Sequence, residues 1–104
     1  MINDLYKPSL GLLTDLYELT MAYGYWKQGR ENNEAVFHLF FRRRPFKGGF
    51  VVAAGLEAII DFLENFHFSD EDLHYLSGLQ GVDGNPLFEE GFFEYLKDFD
   101  VLEK

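Results

Sequence analysis

The sequence predicts an α+β fold: a small antiparallel strand pair or partial sheet packed with three to four helices. Three observations predict it. Apolar residues recur at helical spacing over 15–28, 56–66 and 88–99. A period-two run over 34–43 is apolar on both faces and is followed by a second short apolar run at 50–54. Pro and Gly punctuate the chain between these segments, at 45–49 and again at 78–86. With 104 residues, 47% of them apolar and twelve of them Phe, residues 1–104 read as one domain that is too apolar to be disordered.

Each element has a local cause. Residues 1–10 form an extended lead-in, because Pro8 blocks early helix. Thr14 can cap a helix over 15–28, with Asp15 and Glu18 suited to the positive end of its dipole. Leu16, Leu19, Tyr23 and Trp26 form its apolar stripe; Tyr17, Met21 and Gly24 form a second face. Gly29 and the polar residues after it end the helix. In the first strand, Val36, His38 and Phe40 share one face, and Phe37, Leu39 and Phe41 share the other. A turn over 45–49 leads to the second strand, and antiparallel pairing is the simplest arrangement. Leu56, Ile59, Ile60 and Leu63 are expected to face inward from the next helix. Ser69 then caps a short helix carrying Leu73 and Leu76, and the last helix is expected to bury Phe92, Tyr95, Leu96 and Phe99. Two strands alone are marginal in water, so the sheet is expected to need missing chain or another subunit.

Composition narrows the function classes. No apolar run approaches the ~18 residues of a membrane span, and the N-terminus does not read as a secretory signal. The absence of cysteine excludes disulfides and thiolate chemistry, and a cytoplasmic location is the expectation. Net charge is −9, but residues 1–47 carry seven Lys/Arg against five Asp/Glu, and residues 48–104 carry two against thirteen. Four of the nine basic residues lie within Arg42 to Lys47. An acidic chain repels nucleic acid, so a local basic cluster suits a small anion better. His38, His67 and His74 have no partners at metal-ligand spacing, and no metal site is expected. Taken alone, Tyr17 reads more often as a half-buried core residue, Asp15 more often as a helix-start charge, and the arginines more often as a solvated strand end.

The order of motifs is more particular. Leu13-Thr14-Asp15-Leu16-Tyr17, then Phe40-Phe41-Arg42-Arg43 with Pro45-Phe46, Gly48 and Phe50, then Ala54-Gly55-Leu56, and later Phe68-Ser69 with Asp72-Leu73 and Tyr75-Leu76, resemble nicotinate phosphoribosyltransferase. The resemblance runs in order from about residue 12 to residue 96. It implies the N-terminal domain of a type II phosphoribosyltransferase whose α/β barrel is absent from this chain. It implies an enzyme that joins nicotinate to the ribose of phosphoribosyl pyrophosphate for NAD salvage, with ATP hydrolysis through a phosphorylated histidine, magnesium, and a homodimer. Tyr17 fits the tyrosine that stacks on the pyridine ring, reaching the partner subunit's site, and Asp15 fits the aspartate beside it. Arg42 and Arg43 fit the shared Phe-Phe-Arg-Arg element, where guanidinium forks grip carboxylate or phosphate.

These four residues are the expected substrate-binding set. No catalytic residue and no bound cofactor are expected in this chain, which is expected to be inactive by itself. The rival expectations are a non-catalytic oligomerisation or protein-binding module, and the N-terminal part of a nicotinamide phosphoribosyltransferase. Recognition of a nucleotide or nucleic acid through residues 42–47 is a third and weaker one, opposed by the net charge.

Overall fold

The computed structural model describes residues 9–102. Four helices follow one another: α1 (Leu16–Lys27), α2 (Leu56–Glu64), α3 (Asp70–Ser77) and α4 (Glu90–Lys97). The first eight residues of the expected lead-in, Pro8 among them, lie outside the described residues. Beyond them, Ser9 donates its hydroxyl proton to the His67 carbonyl at 2.6 Å and accepts the Gly11 amide at 3.1 Å. Gly11 is buried there, and a Cβ on it would lie 2.8 Å from Cδ1 of Phe68. Glycine is therefore required by space.

α1 begins one residue later than its sequence suggests. Asp15 takes the N-cap position without making a capping hydrogen bond, and the Thr14 hydroxyl bonds the Glu18 carboxylate instead of the backbone. The other end closes as a Schellman motif. Gly29 stands at φ +68°, its amide donates to the Trp26 carbonyl, and the Arg30 amide donates to the Tyr25 carbonyl at 2.9 Å. Ser69 caps α3 as its sequence predicts: its hydroxyl accepts from the Asp72 amide, and the Asp72 carboxylate accepts from the Ser69 amide.

The core is aromatic and lies where α1, α3 and α4 meet. Leu19, Leu76, Phe88, Phe92 and Leu96 are buried, with Tyr23, Trp26, Leu73, Phe93 and Tyr95 packed against them. Phe92 is 0% exposed, with ring centroids of Tyr23 at 5.1 Å, Phe88 at 5.3 Å and Trp26 at 5.7 Å. Burial, and then the nearby Glu31 charge, push the Tyr95 phenol up. Phe66, Phe68 and Phe99 continue the aromatic packing toward the residues around Gly11. The loop between α3 and α4 folds back on itself. Leu87 donates to the Leu79 carbonyl and Gly81 to the Asn85 carbonyl, both at 2.9 Å, around Gly84 at φ +79°. The one β-type pairing among the described residues is the isolated antiparallel bridge between Gln80 and Pro86 in this loop.

The strand pair of the expected α+β fold is a correction. Among the described residues there is no strand and no sheet; the architecture is helical, with two extended arms. Residues 34–43 and 50–54 run without a ladder between them. Their side chains stand in water: Phe37 is 89% exposed, and Val36, Leu39, Phe40, Phe41, Phe50 and Val52 are exposed with it. Two strands with nothing to cover either face bury too little to hold a ladder. The turn at 45–49 does form, with the Gly48 amide donating to the Pro45 carbonyl at 3.2 Å.

The inward face expected of α2 is corrected for the same reason, since Leu56, Ile59 and Ile60 are exposed and no residue of α2 is buried. The accessible surface is 9048 Å², against roughly 6,000 Å² expected of a compact chain of this mass. The radius of gyration is 16.6 Å, against about 13 Å for a compact chain of 100 residues. The arms and α2 contribute no residue to the buried core.

Candidate functional site

The turn between the two arms gathers the basic residues. Its dihedrals are unusual for its sequence. Phe46 lies at φ 59°, ψ 25° and Lys47 at φ 57°, both in the left-handed region. Two positive φ values at the centre of a four-residue turn are the geometry of a type I′ turn, which favours Gly and Asn. A residue with a Cβ costs roughly 1–2 kcal/mol at each such position. Lys47 lines the same open cleft as three arginines.

That cleft has a volume of about 490 Å³ and is lined by Phe41, Arg42, Arg43, Arg44, Lys47 and Gly48. A second, apolar cleft of about 510 Å³ adjoins it and shares Phe41, Arg43 and Gly48. Pro45, Phe46, Phe50, Val51 and Val52 complete its walls. Arg43 therefore stands at the border between a cationic hollow and an apolar one. The described ion pair lies elsewhere, between Lys27 Nζ and Glu89 Oε1 at 2.7 Å, where α1 meets the start of α4. There the Glu89 carboxylate holds the ammonium above its usual range, and the lysine holds the carboxyl below its own. The four cations of the cleft make no such pair among the described residues.

Arg42 and Arg43 are thus brought together, while Asp15 and Tyr17 line neither cleft. Tyr17 stands in the first turn of α1, 59% exposed, on the face turned away from Leu19. Its ring is open for stacking, and the Asp15 carboxylate beside it is unused by the cap. Arg44 and Lys47 were outside the expected set, although the clustering of basic residues over 42–47 was their signal. A smaller hollow of about 190 Å³ between α1 and α3, lined by Leu12, Leu16, Leu19, Tyr75, Leu76 and Leu79 with Thr14, is an extension of the core. Among the described residues no cluster of three or more His, Asp or Glu gathers into a cation site. No helix there is long and apolar enough to cross a membrane.

The family model of the nicotinate phosphoribosyltransferase N-terminal domain matches residues 12–104. This chain belongs to that family. The match spans α1, both arms, the basic turn and the remaining helices. The nicotinate phosphoribosyltransferase of Bacillus subtilis is 56% identical over 68 residues, covering 65% of this chain and 14% of that protein. The Caenorhabditis elegans protein of the same name is 48% identical over 86 residues, covering 83% of this chain and 15% of its own length. The Homo sapiens one is 47% identical over 92 residues, covering 88% of this chain and 16% of its own. The chain therefore spans about one-sixth of these relatives or slightly less, and corresponds to their N-terminal domain.

Proposed function

We propose that this chain supplies one wall of a substrate site in a nicotinate phosphoribosyltransferase, with the rest of that site furnished by further protein. The reaction forms a bond from the pyridine nitrogen of nicotinate to the anomeric carbon of phosphoribosyl pyrophosphate. The bond from that carbon to the pyrophosphate oxygen breaks, and pyrophosphate leaves with the electron pair. In this reading Tyr17 offers a flat face to the pyridine ring, giving contact area at low entropic cost. Asp15 shapes the same pocket, and Arg42 and Arg43 grip anionic groups through paired hydrogen bonds. Cations near the departing pyrophosphate stabilise the charge that develops on it. ATP and magnesium belong to the proposed full-length reaction. A homodimer, a cytoplasmic location and a part in NAD salvage are further parts of this reading.

The observation that carries the proposal is the family match over residues 12–104, with Tyr17, Arg42 and Arg43 left open to a ligand. The test is a chimera in which these residues replace the matching region of the Bacillus subtilis relative. It is expected to convert nicotinate and phosphoribosyl pyrophosphate into nicotinate mononucleotide, and the 104-residue chain alone is expected not to. Tyr17→Ala in the chimera is expected to raise KM for nicotinate about tenfold or more, the loss of one aromatic stacking contact. An unchanged KM and kcat would remove the stacking role. Running the chimera with nicotinamide in place of nicotinate separates the acid-specific reading from its amide rival.

The exposed arms favour a second reading, self-association through apolar surface, because Val36 to Phe41 and Leu56 to Ile60 leave a broad apolar area uncovered. Light scattering decides it: a monomer at high concentration excludes this reading.

A further inference from the structure

We infer that residues 36–41, with the basic residues after them, are a recognition segment for a holding chaperone: a protein that closes an apolar channel with an acidic rim around one extended chain. The inference goes beyond the proposed substrate wall and does not depend on it. The backbone sets the kind of partner. Residues 34–43 run extended and make no backbone–backbone hydrogen bond among the described residues. Their amides and carbonyls suit a groove that takes an extended segment, whereas a partner that grips a helix face finds no helix here. The side chains set the shape of that groove. Val36, on one face, is 85% exposed, and Leu39, on the other, is 83% exposed. A flat surface covers one row and leaves the other in water; an enclosing channel covers both.

Charge sets the rim. Residues 35–56 contain no Asp or Glu, although the chain holds eighteen, and Arg42, Arg43, Arg44 and Lys47 follow the apolar run directly. These four make no ion pair among the described residues, so an acidic rim complements them. A second copy of the chain is a poorer complement. Parallel copies set the cations side by side, and an antiparallel pair centred on the run sets Arg43 against Glu34 but Lys47 against Arg30. The segment gives nothing to the buried core of Leu19, Leu76, Phe88, Phe92 and Leu96. It is therefore equally open in the folded and the unfolded chain, and gripping it leaves the core as stable as before.

The probe is the purified substrate-binding domain of a heat-shock chaperone of the class that encloses extended peptides. It is titrated into the 104-residue chain, labelled at its terminal amine, and read by fluorescence anisotropy. Saturable one-to-one binding is expected. Leu39→Asp places a carboxylate in the apolar channel and is expected to weaken binding about a hundredfold. Arg44→Glu sets a like charge against the rim and is expected to weaken it about tenfold. Both side chains are exposed, so the urea midpoint read from Trp26 is expected to stay within a few tenths molar, which rules out unfolding as the cause. Ile60→Asp, the same kind of exchange on exposed α2, is expected to leave binding unchanged. In the complex, amide exchange is expected to slow over residues 36–43 and to stay as it was over residues 92–96. An equal loss in Ile60→Asp, or full affinity in Leu39→Asp, overturns the inference. Faster exchange over residues 92–96 overturns it too, because the chaperone is then taking the unfolded chain. A dimer in light scattering that Leu39→Asp dissolves names a second copy as the cover. Binding to anionic phosphatidylglycerol vesicles without binding to the chaperone domain names a lipid surface. Either result overturns the inference, as does no binding of the domain by the wild-type chain.

Discussion

Replacing Phe92 by alanine tests whether the three-helix cluster is the whole core. Phe92 is 0% exposed and meets the rings of Tyr23, Trp26, Phe88 and Tyr95 at centroid distances from 5.1 to 6.1 Å. Removing such a ring costs about 3–5 kcal/mol in lost transfer free energy and cavity formation. A chain of about 100 residues has roughly 5–15 kcal/mol of stability in total, and five buried apolar residues place this one toward the lower end. Urea unfolding followed by fluorescence of the single tryptophan, Trp26, reports on the site directly, because that ring lies 5.7 Å from Phe92. With a slope of about 1–3 kcal/mol per molar urea, the midpoint is expected to fall by roughly 2 M.

The matched control is Phe37→Ala. Phe37 is 89% exposed on the first arm, so its loss is expected to cost less than about 0.5 kcal/mol and to move the midpoint by a few tenths molar. If Phe37→Ala destabilises the chain as much as Phe92→Ala does, residues 34–43 are covered in solution. The account of the arms as unpaired chain then fails.

Gly11→Ala sets a Cβ 2.8 Å from the Phe68 ring and 3.0 Å from the His67 carbonyl. It is expected to destabilise by about 1–3 kcal/mol, read as a lower urea midpoint. Ser69→Ala removes the hydroxyl that accepts the Asp72 amide, and is expected to cost about 1 kcal/mol, with helix loss at α3 visible as faster amide exchange over residues 70–73. Glu89→Gln tests the pair with Lys27 through pH. The Glu89 carboxyl is held below its usual range, so its contribution is present above the unfolded carboxylate value and is lost as pH falls through the folded one. The Lys27 ammonium is held above its usual range, so its contribution is present below the unfolded lysine value and is lost as pH rises through the folded one. The difference in midpoint between wild type and Glu89→Gln is therefore expected to be level near neutrality and to shrink at both extremes. A difference that does not change with pH would refute the pairing.

Local signals were legible wherever the structure is local. The 3-and-4 spacing of Leu19, Tyr23 and Trp26, the stop at Gly29, the Ser69 cap and the apolar positions Phe92 and Leu96 are written in short local patterns, and each is where it was expected. Thr14 was read as the cap, whereas Asp15 takes the N-cap position without a capping hydrogen bond, because the first helical residue is set by the backbone and not by which side chain could cap it. The proposed substrate-binding set of four residues was legible only as a family pattern. Its two halves, Asp15 with Tyr17 and Arg42 with Arg43, lie on separate elements and line no common cleft.

By itself the sequence determined the helices, the Ser69 cap, the family and the clustering of cations at 42–47. Tertiary structure alone decided that the alternating apolar runs over 34–43 and 50–54 stay unpaired, that α2 leaves Leu56, Ile59 and Ile60 exposed, and that Arg44 and Lys47 share a cleft with Arg42 and Arg43. The physical reason is the range of the forces involved. Helical periodicity and caps are satisfied by neighbours in the chain, whereas a strand is stabilised only by a partner and a cover that its own residues do not encode.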